Sequence, residues 1–222
     1  MKVNYYFHSG VSVQSGSDIF IFDYYMKGLD AKKLHAFENI YVFVSHSHRD
    51  HFDRSILKWS KIRSDINYIF SSDVIPGVKI KNLIFMKPWE TTDLGNINIS
   101  TLESTDEGVA FYIKTNQGSI FHSGDLNWWH WEGEPEEYNR GMKLKFKEEI
   151  DRLQGETIDV AFIPVDKRLE DSKYYSIDYL MSALDVRMVC PIHFWDDMDF
   201  LNKVREELHN REYYNKINFY KD

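Results

Sequence analysis

The stretch Ser45-His46-Ser47-His48-Arg49-Asp50-His51-Phe52-Asp53 gathers histidines and a carboxylate within a few positions. It follows directly on Tyr41-Val42-Phe43-Val44, an apolar run that reads as a buried strand cut off by a polar turn. Helical spacing resumes with Phe52, Ile56 and Trp59, so the cluster lies on a strand-to-helix loop. Imidazole is the commonest metal ligand, and a carboxylate beside it supplies the charge that a divalent cation needs. In an extended segment His46 and His48 point to one side, while Asp50 and His51 begin the turn, so these donors can converge from one loop. The competing reading is a polar loop that happens to be rich in histidine. One histidine would leave that reading ahead; His-x-His-x-Asp-His after a strand does not.

The same string resembles the signature of the metallo-β-lactamase superfamily. The resemblance implies that His46 and His48 bind a first metal and that Asp50 and His51 bind a second. Farther on, a strand ending in His122-Ser123-Gly124-Asp125 is similar to the superfamily's fourth motif, whose aspartate bridges the two metals. An ordinary Gly-Asp turn is the alternative there. Pro191-Ile192-His193-Phe194-Trp195 resembles the last motif, which implies that His193 is a ligand of the second metal rather than a structural histidine after a strand. Asp23, closing Asp18-Ile19-Phe20-Ile21-Phe22, resembles the residue that lies beneath the metal loop.

One motif departs from the pattern. Where the superfamily normally carries a third-motif histidine, this chain has Ser104-Thr105-Asp106-Glu107, and no histidine occurs between His51 and His122. Asp106 is the ligand-capable carboxylate nearest the expected place, although a gapless comparison puts Ser104 there. Either Asp106 supplies an oxygen ligand, or the first metal has only His46, His48 and Asp125. The expected cofactor is one to two divalent transition metals, zinc first. A carboxylate is a harder ligand, so iron or manganese competes better at such a site.

A chain of 222 residues can bury one substantial core, and it reads as a single domain over residues 1–222. Its net charge of -8 disfavours a nucleic-acid partner and leaves a small-molecule substrate. Lys143, Lys145 and Lys147 line the solvated side of a helix whose Phe146, Ile150 and Leu153 face inward. No apolar stretch reaches membrane-spanning length, and the alternating start Met1-Lys2-Val3-Asn4-Tyr5-Tyr6 reads as a strand rather than a signal peptide. Cys190, the one cysteine, allows no intrachain disulfide and reads as a buried, inert thiol, so a reducing cytoplasm is the default compartment.

Along the chain, Val3-to-Val13 alternation and the Asp18 run form a hairpin-like opening, with His8 either satisfied by backbone or near the site. Strands are expected at Asn67–Phe70, Ile84–Met86, Ile97–Thr101, Val109–Lys114, Ser119–His122, Asp159–Pro164, Met188–Ile192 and Ile217–Tyr220. Helices are expected at Ala31–Phe37, from about Lys143 to Gln154, around Tyr174–Leu184 and around Phe200–Leu208. Trp128, Trp129 and Trp131 either roof the cleft or pin a loop to the core, and Asp166 and Arg168 are candidates to support the site or substrate.

The resemblance covers nearly the whole chain and implies an α/β fold, the four-layer αβ/βα sandwich. It looks nearest to the metal-dependent hydrolases around the ascorbate-6-phosphate lactonase branch. It also implies metal-assisted hydrolysis of an ester, lactone, thioester or phosphoester, with Asp50 holding or receiving the proton of the attacking water. The alternatives are a non-catalytic metal-binding or interaction module that retains the fold, a nuclease-type phosphodiesterase, and a dinuclear iron redox site. The charge argues against the second, and the lack of room for a flavin domain against the third.

Overall fold

The computed structural model describes residues 1–26 and 28–220. Strands β1 (Lys2–Phe7), β2 (Gly10–Ser15) and β3 (Asp18–Phe22) form an antiparallel meander. Parallel to β3 follow β4 (Asn39–Val44), β5 (Asn67–Ser71) and β6 (Leu83–Met86), completing a six-stranded sheet in the order β1 to β6. Phe20, Phe22, Tyr41 and Phe43 face one side of this sheet, whereas Ile19, Ile21, Ile40 and Val42 face the other. Strands buried on both faces read as continuous apolar runs, which is why Tyr41 to Val44 stands out in the sequence.

The second sheet begins with the antiparallel strands β7 (Thr91–Asp93), β8 (Ile97–Glu103), β9 (Val109–Thr115) and β10 (Gly118–His122). Helix α1 (Glu136–Asp151), the short β11 (Thr157–Ile158), β12 (Val160–Pro164), α2 (Tyr175–Ala183), β13 (Asp185–Val186), β14 (Val189–Ile192) and α3 (Met198–Glu207) follow. The order is β14-β12-β10-β9-β8-β7, with β10, β12 and β14 parallel, while β11 and β13 pair by themselves. Ile99, Phe111, Ile120 and Phe162 meet the first sheet. On the opposite face Tyr112, Phe121, Ala161 and Ile163 carry the helices through Phe146, Ile150, Ile177, Leu180, Leu201 and Val204. This is the expected four-layer αβ/βα sandwich.

The outer layer of the first sheet differs in detail. Its covering segments, Ala31–Ala36 and Arg54–Lys61, are 3-10 rather than α-helical. Each is short, starts at an aspartate cap (Asp30, Asp53), and inserts Leu34, or Ile56 and Trp59, against the sheet. Helix α1 begins at Glu136, well before the expected Lys143, because Glu136 and Glu137 fill its first turn, where the helix dipole favours negative charge. The expected strand Ile217–Tyr220 reduces to one bridge between Val189 and Ile217. There the Asn218 side chain accepts from the Tyr220 amide and turns the chain, with Tyr220 at φ 55. Among the described residues no helix is long and apolar enough to cross a membrane.

The topology has one consequence for function. Strands β1, β3 and β4 share a direction, as do β10, β12 and β14, and their carboxyl ends meet along one edge of the sandwich. Crevices outside strand carboxyl ends are where folds of this kind bind ligands.

Candidate metal centre

The histidine loop is fixed from below by Asp23, a buried residue just past β3 with φ 43. The backbone N–H and Oγ of Ser45 donate to its two carboxylate oxygens at 2.7 and 2.6 Å. Since the one hydroxyl proton of Ser45 goes to an acceptor-only carboxylate, Ser45 Oγ must accept from His46 Nδ1, 2.9 Å away. His51 Nδ1 donates directly to Asp23 at 2.8 Å, and His193 Nδ1 donates to Asp166 at 2.8 Å. Arg168 grips both oxygens of Asp166 in turn.

With every Nδ1 occupied by a proton, the lone pairs of His46, His51 and His193 lie on Nε2, and these three atoms converge on Asp125. Their distances to its carboxylate oxygens are 3.5, 3.3 and 3.4 Å. His46 approaches Oδ2, while His51 and His193 approach Oδ1. His51 Nε2 and Asp125 Oδ1 are buried and have no hydrogen-bond partner. Orphaned buried polar atoms are costly, and backing an imidazole with a carboxylate is how proteins orient metal-ligating histidines. The donor set fits a cation at this spot.

Electrostatics agree. Burial drives the His46 imidazole down to about 4, helped by the neighbouring His51. Burial also opposes charge on His193, but Asp125 and Asp166 outweigh it and hold that ring up to about 9. His51 is raised in the same way, burial being overcome by Asp125 and Asp23. In return His51 and His193 hold the Asp125 carboxyl well below the usual range against its burial. The positive charge that the carboxylates favour on His51 and His193 stands where a metal cation would supply the same charge.

The third-motif loop is docked onto the histidine loop by close backbone approach. Val109 N donates to Ser45 O at 2.9 Å, and a Cβ on Gly108 would sit 2.0 Å from that oxygen, with φ at +71. Gly124 packs against Ser45 from the other side, at φ +53. His48, Asp106 and Asp125 thereby each bring one donor atom within 4.8 Å of the others. His48 Nδ1 lies 3.0 Å from His46 Nε2, and its Nε2 faces Glu107 at 3.3 Å. Among the sequence candidates, His46, His48, His51, Asp106, Asp125 and His193 are brought together. Asp50 stands apart from these compact groups, with its carboxylate 3.3 Å from His8 Nε2.

His122 is satisfied elsewhere: it donates to Ser9 O, accepts from the Gly124 amide and stacks on Phe22. The tryptophans divide. Trp129 donates to Asp125 O, packs edge-on against His193 and carries Trp131 stacked on it at 5.8 Å. Trp128 turns the other way, to Tyr175 and Phe146, beneath the ammonium groups of Lys143 and Lys147. Trp129 and Trp131, with Tyr138, Met142 and Arg168, wall a cavity of about 170 Å³ that reaches Asp106, Asp125 and His193. A larger cavity, about 640 Å³, lies between Tyr25, Arg49, Phe52 and Ile75, and none of these imidazoles lines it. The smaller cavity is the one that adjoins the chemistry.

No protein-family profile matches the chain, and no curated protein does. Solved structures match over nearly its full length. Igni18, a metallo hydrolase from the hyperthermophilic archaeon Ignicoccus hospitalis, aligns at 14% identity over 97% of this chain and 93% of its own, with a TM-score of 0.67. A possible metal-dependent hydrolase from Veillonella parvula aligns at 10% identity over 98% and 96%, with a TM-score of 0.62. YhfI from Bacillus subtilis, a metallo-β-lactamase fold protein, aligns at 14% identity over 84% and 79%, with a TM-score of 0.50. The chain has the metallo-β-lactamase fold. At these identities the likeness is one of fold, and function rests on the site.

Proposed function

We propose that this chain is a metal-dependent hydrolase of small-molecule substrates, with a pair of divalent metals held at the strand ends. One observation carries the reading: His46, His51 and His193 each have Nδ1 tied back and Nε2 aimed at Asp125. Asp125 bridges. His46, His48 and Asp106 would hold one metal, and His51 and His193 would hold the other. Metals bound there bring the ionisation of water near neutral pH and polarise a carbonyl or phosphoryl oxygen.

The chain's own groups do the remaining work. Asp50, half-buried beside His8, has its carboxyl held well below the usual range by His8 and His51 despite burial, so it stays ionised and can accept a hydrogen bond from the attacking water. Trp129 and Trp131 exclude water from one side of the cavity and offer an apolar wall, while Arg168 offers charge at its edge. A cavity of about 170 Å³ limits what sits against the site to a small substrate, or to one end of a larger one, whether ester, lactone, thioester or phosphoester. The net charge of -8 speaks against nucleic acid. Zinc is the expected metal, with iron or manganese favoured to the extent that Asp106 ligates. The Gly-Asp-Leu-Asn and Pro-Ile-His segments support a place near the ascorbate-6-phosphate lactonase-like hydrolases, and the single free cysteine supports a cytoplasmic protein.

The test is a panel of esters, lactones, thioesters and phosphodiesters, assayed on protein loaded with zinc, manganese or iron, alongside metal analysis. Turnover that disappears on chelation and returns with metal is expected. Full inertness with metal bound would transfer the fold to the non-catalytic, metal-binding class.

A further inference from the structure

The geometry points to His8 as a protein ligand of the buried metal site, in the place the family resemblance gives to Asp50. This rests on the metal-centre reading above and changes the composition of one of its two sites. His8 follows β1 at φ 56 and is wholly buried. Neither of its ring nitrogens makes a hydrogen bond of good geometry, and the nearest acceptor is Asp50 Oδ2, 3.3 Å from Nε2. One donor atom each from His8, His51 and His193 lies within 4.8 Å of the other two, a compact group that does not include Asp50. The ring is held where it is: it stacks on Trp195 at 4.1 Å and lies 4.0 Å from the His193 ring. Backbone bonds lock the same arrangement, His8 N donating to Trp195 O and His193 N to His8 O, both at 3.0 Å.

A buried imidazole whose Nδ1 has no partner and whose Nε2 has only a long contact, placed among candidate ligand histidines, needs a further partner. Asp50 supplies part of the answer. Its Oδ2 lies 3.3 Å from His8 Nε2. His51 has Asp23 behind it and His193 has Asp166, each at 2.8 Å. With Asp50 beside His8, each imidazole of the buried site has its own carboxylate, the arrangement that fixes the tautomer of a metal-ligating histidine. The proton then belongs on the nitrogen facing Asp50, and the other nitrogen carries the lone pair. Asp50 is a positioning residue for His8, and the buried site is His8, His51, His193 and Asp125.

The test uses the full chain loaded with one and with two equivalents of zinc or cobalt. His8→Asn is the variant of choice, because asparagine tolerates the left-handed conformation at this position and its side chain is too short to replace the imidazole. It should bind about one equivalent fewer of tightly held metal than the parent and change the cobalt visible spectrum. Asp50→Asn should keep the parent's stoichiometry and lose affinity about 10–100-fold, as expected for a group that acts through a ligand. His8→Asn with parental stoichiometry and spectrum would overturn the inference, as would Asp50→Asn losing the metal while His8→Asn keeps it. If His8→Asn does not fold, X-ray absorption of the parent with one equivalent of zinc decides: three imidazoles support His8, and two exclude it. A parent that binds no metal at all would instead overturn the hydrolase reading beneath it.

Discussion

On one side of Asp125 stand His51 and His193, buried, with Nδ1 tied directly to Asp23 and Asp166. On the other side only His46 is buried: the side chains of His48 and Glu107 are 44% and 52% exposed, and Asp106 is exposed as well. Both sides carry nitrogen and oxygen donors, yet they differ in how much order exists before a metal arrives. A ring already locked by packing and a carboxylate loses little freedom on binding, whereas an exposed histidine and carboxylate must be ordered at the moment of binding. The buried side should therefore hold metal tightly, and the exposed side should exchange it.

The largest effect comes from stripping each side in turn. His51→Ala/His193→Ala should remove the tightly held metal, read as metal per protein after gel filtration. His46→Ala/His48→Ala should leave about one equivalent in place. Equal losses from the two pairs would break the asymmetry, and unchanged content in both would refute the ligand assignment altogether.

Weakening a tether instead of a ligand sharpens the same contrast. Asp166→Asn leaves the His193 ring present but alters its Nδ1 partner and releases the Arg168 guanidinium. Metal affinity on the buried side should fall about 10–100-fold, the usual cost of losing such a support. Competition with a chromophoric chelator measures it, and the exposed-side affinity should move much less.

Smaller still is the effect of the joint between the loops. Gly108→Ala would drive a Cβ against Ser45 O at a left-handed φ, and should lower unfolding free energy by about 1–3 kcal/mol in urea titrations. Gly141→Ala is the contrasting substitution. It lies in α1 with nothing near its added Cβ, so it should stabilise by about 0.5–1 kcal/mol. Equal tolerance at both positions would mean that the third-motif loop is not clamped onto His46.

The asymmetry also explains what could be read from the chain alone. Tyr41 to Val44 and the histidines after it were legible because a strand buried on both faces has to be continuously apolar and must end abruptly where polar ligands begin. Asp125 and His193 were legible by the same rule, at the ends of β10 and β14. His8 obeys it too, directly after β1, but a single histidine on an antiparallel edge strand has no local signature. Only the packing of β1 and β14 ends through Trp195 brings it to His51 and His193. The early start of α1 and the loss of the Ile217 strand are decided by an end-of-helix charge preference and by an asparagine turn, both weaker than periodicity.

The smallest expected effect lies at Asp106, and its sign is informative. Although exposed at its outer edge, the Asp106 carboxyl is partly desolvated by the cleft and faces the Asp125 charge, and both raise it above its ordinary value, so its charge is disfavoured in the metal-free fold. Asp106→Asn removes that charge while keeping the shape, and should leave the metal-free melting temperature unchanged or slightly higher. In the presence of metal the same variant should lose affinity at the exposed side, because a cation there has lost one of the carboxylates that its charge offsets. A merely structural turn residue would not separate these two readouts. Asp106→His replaces a hard oxygen with a nitrogen and should shift preference from manganese or iron towards zinc. Metal binding and melting temperatures equal to the parent in both variants would leave His46, His48 and Asp125 as the whole of the exposed site.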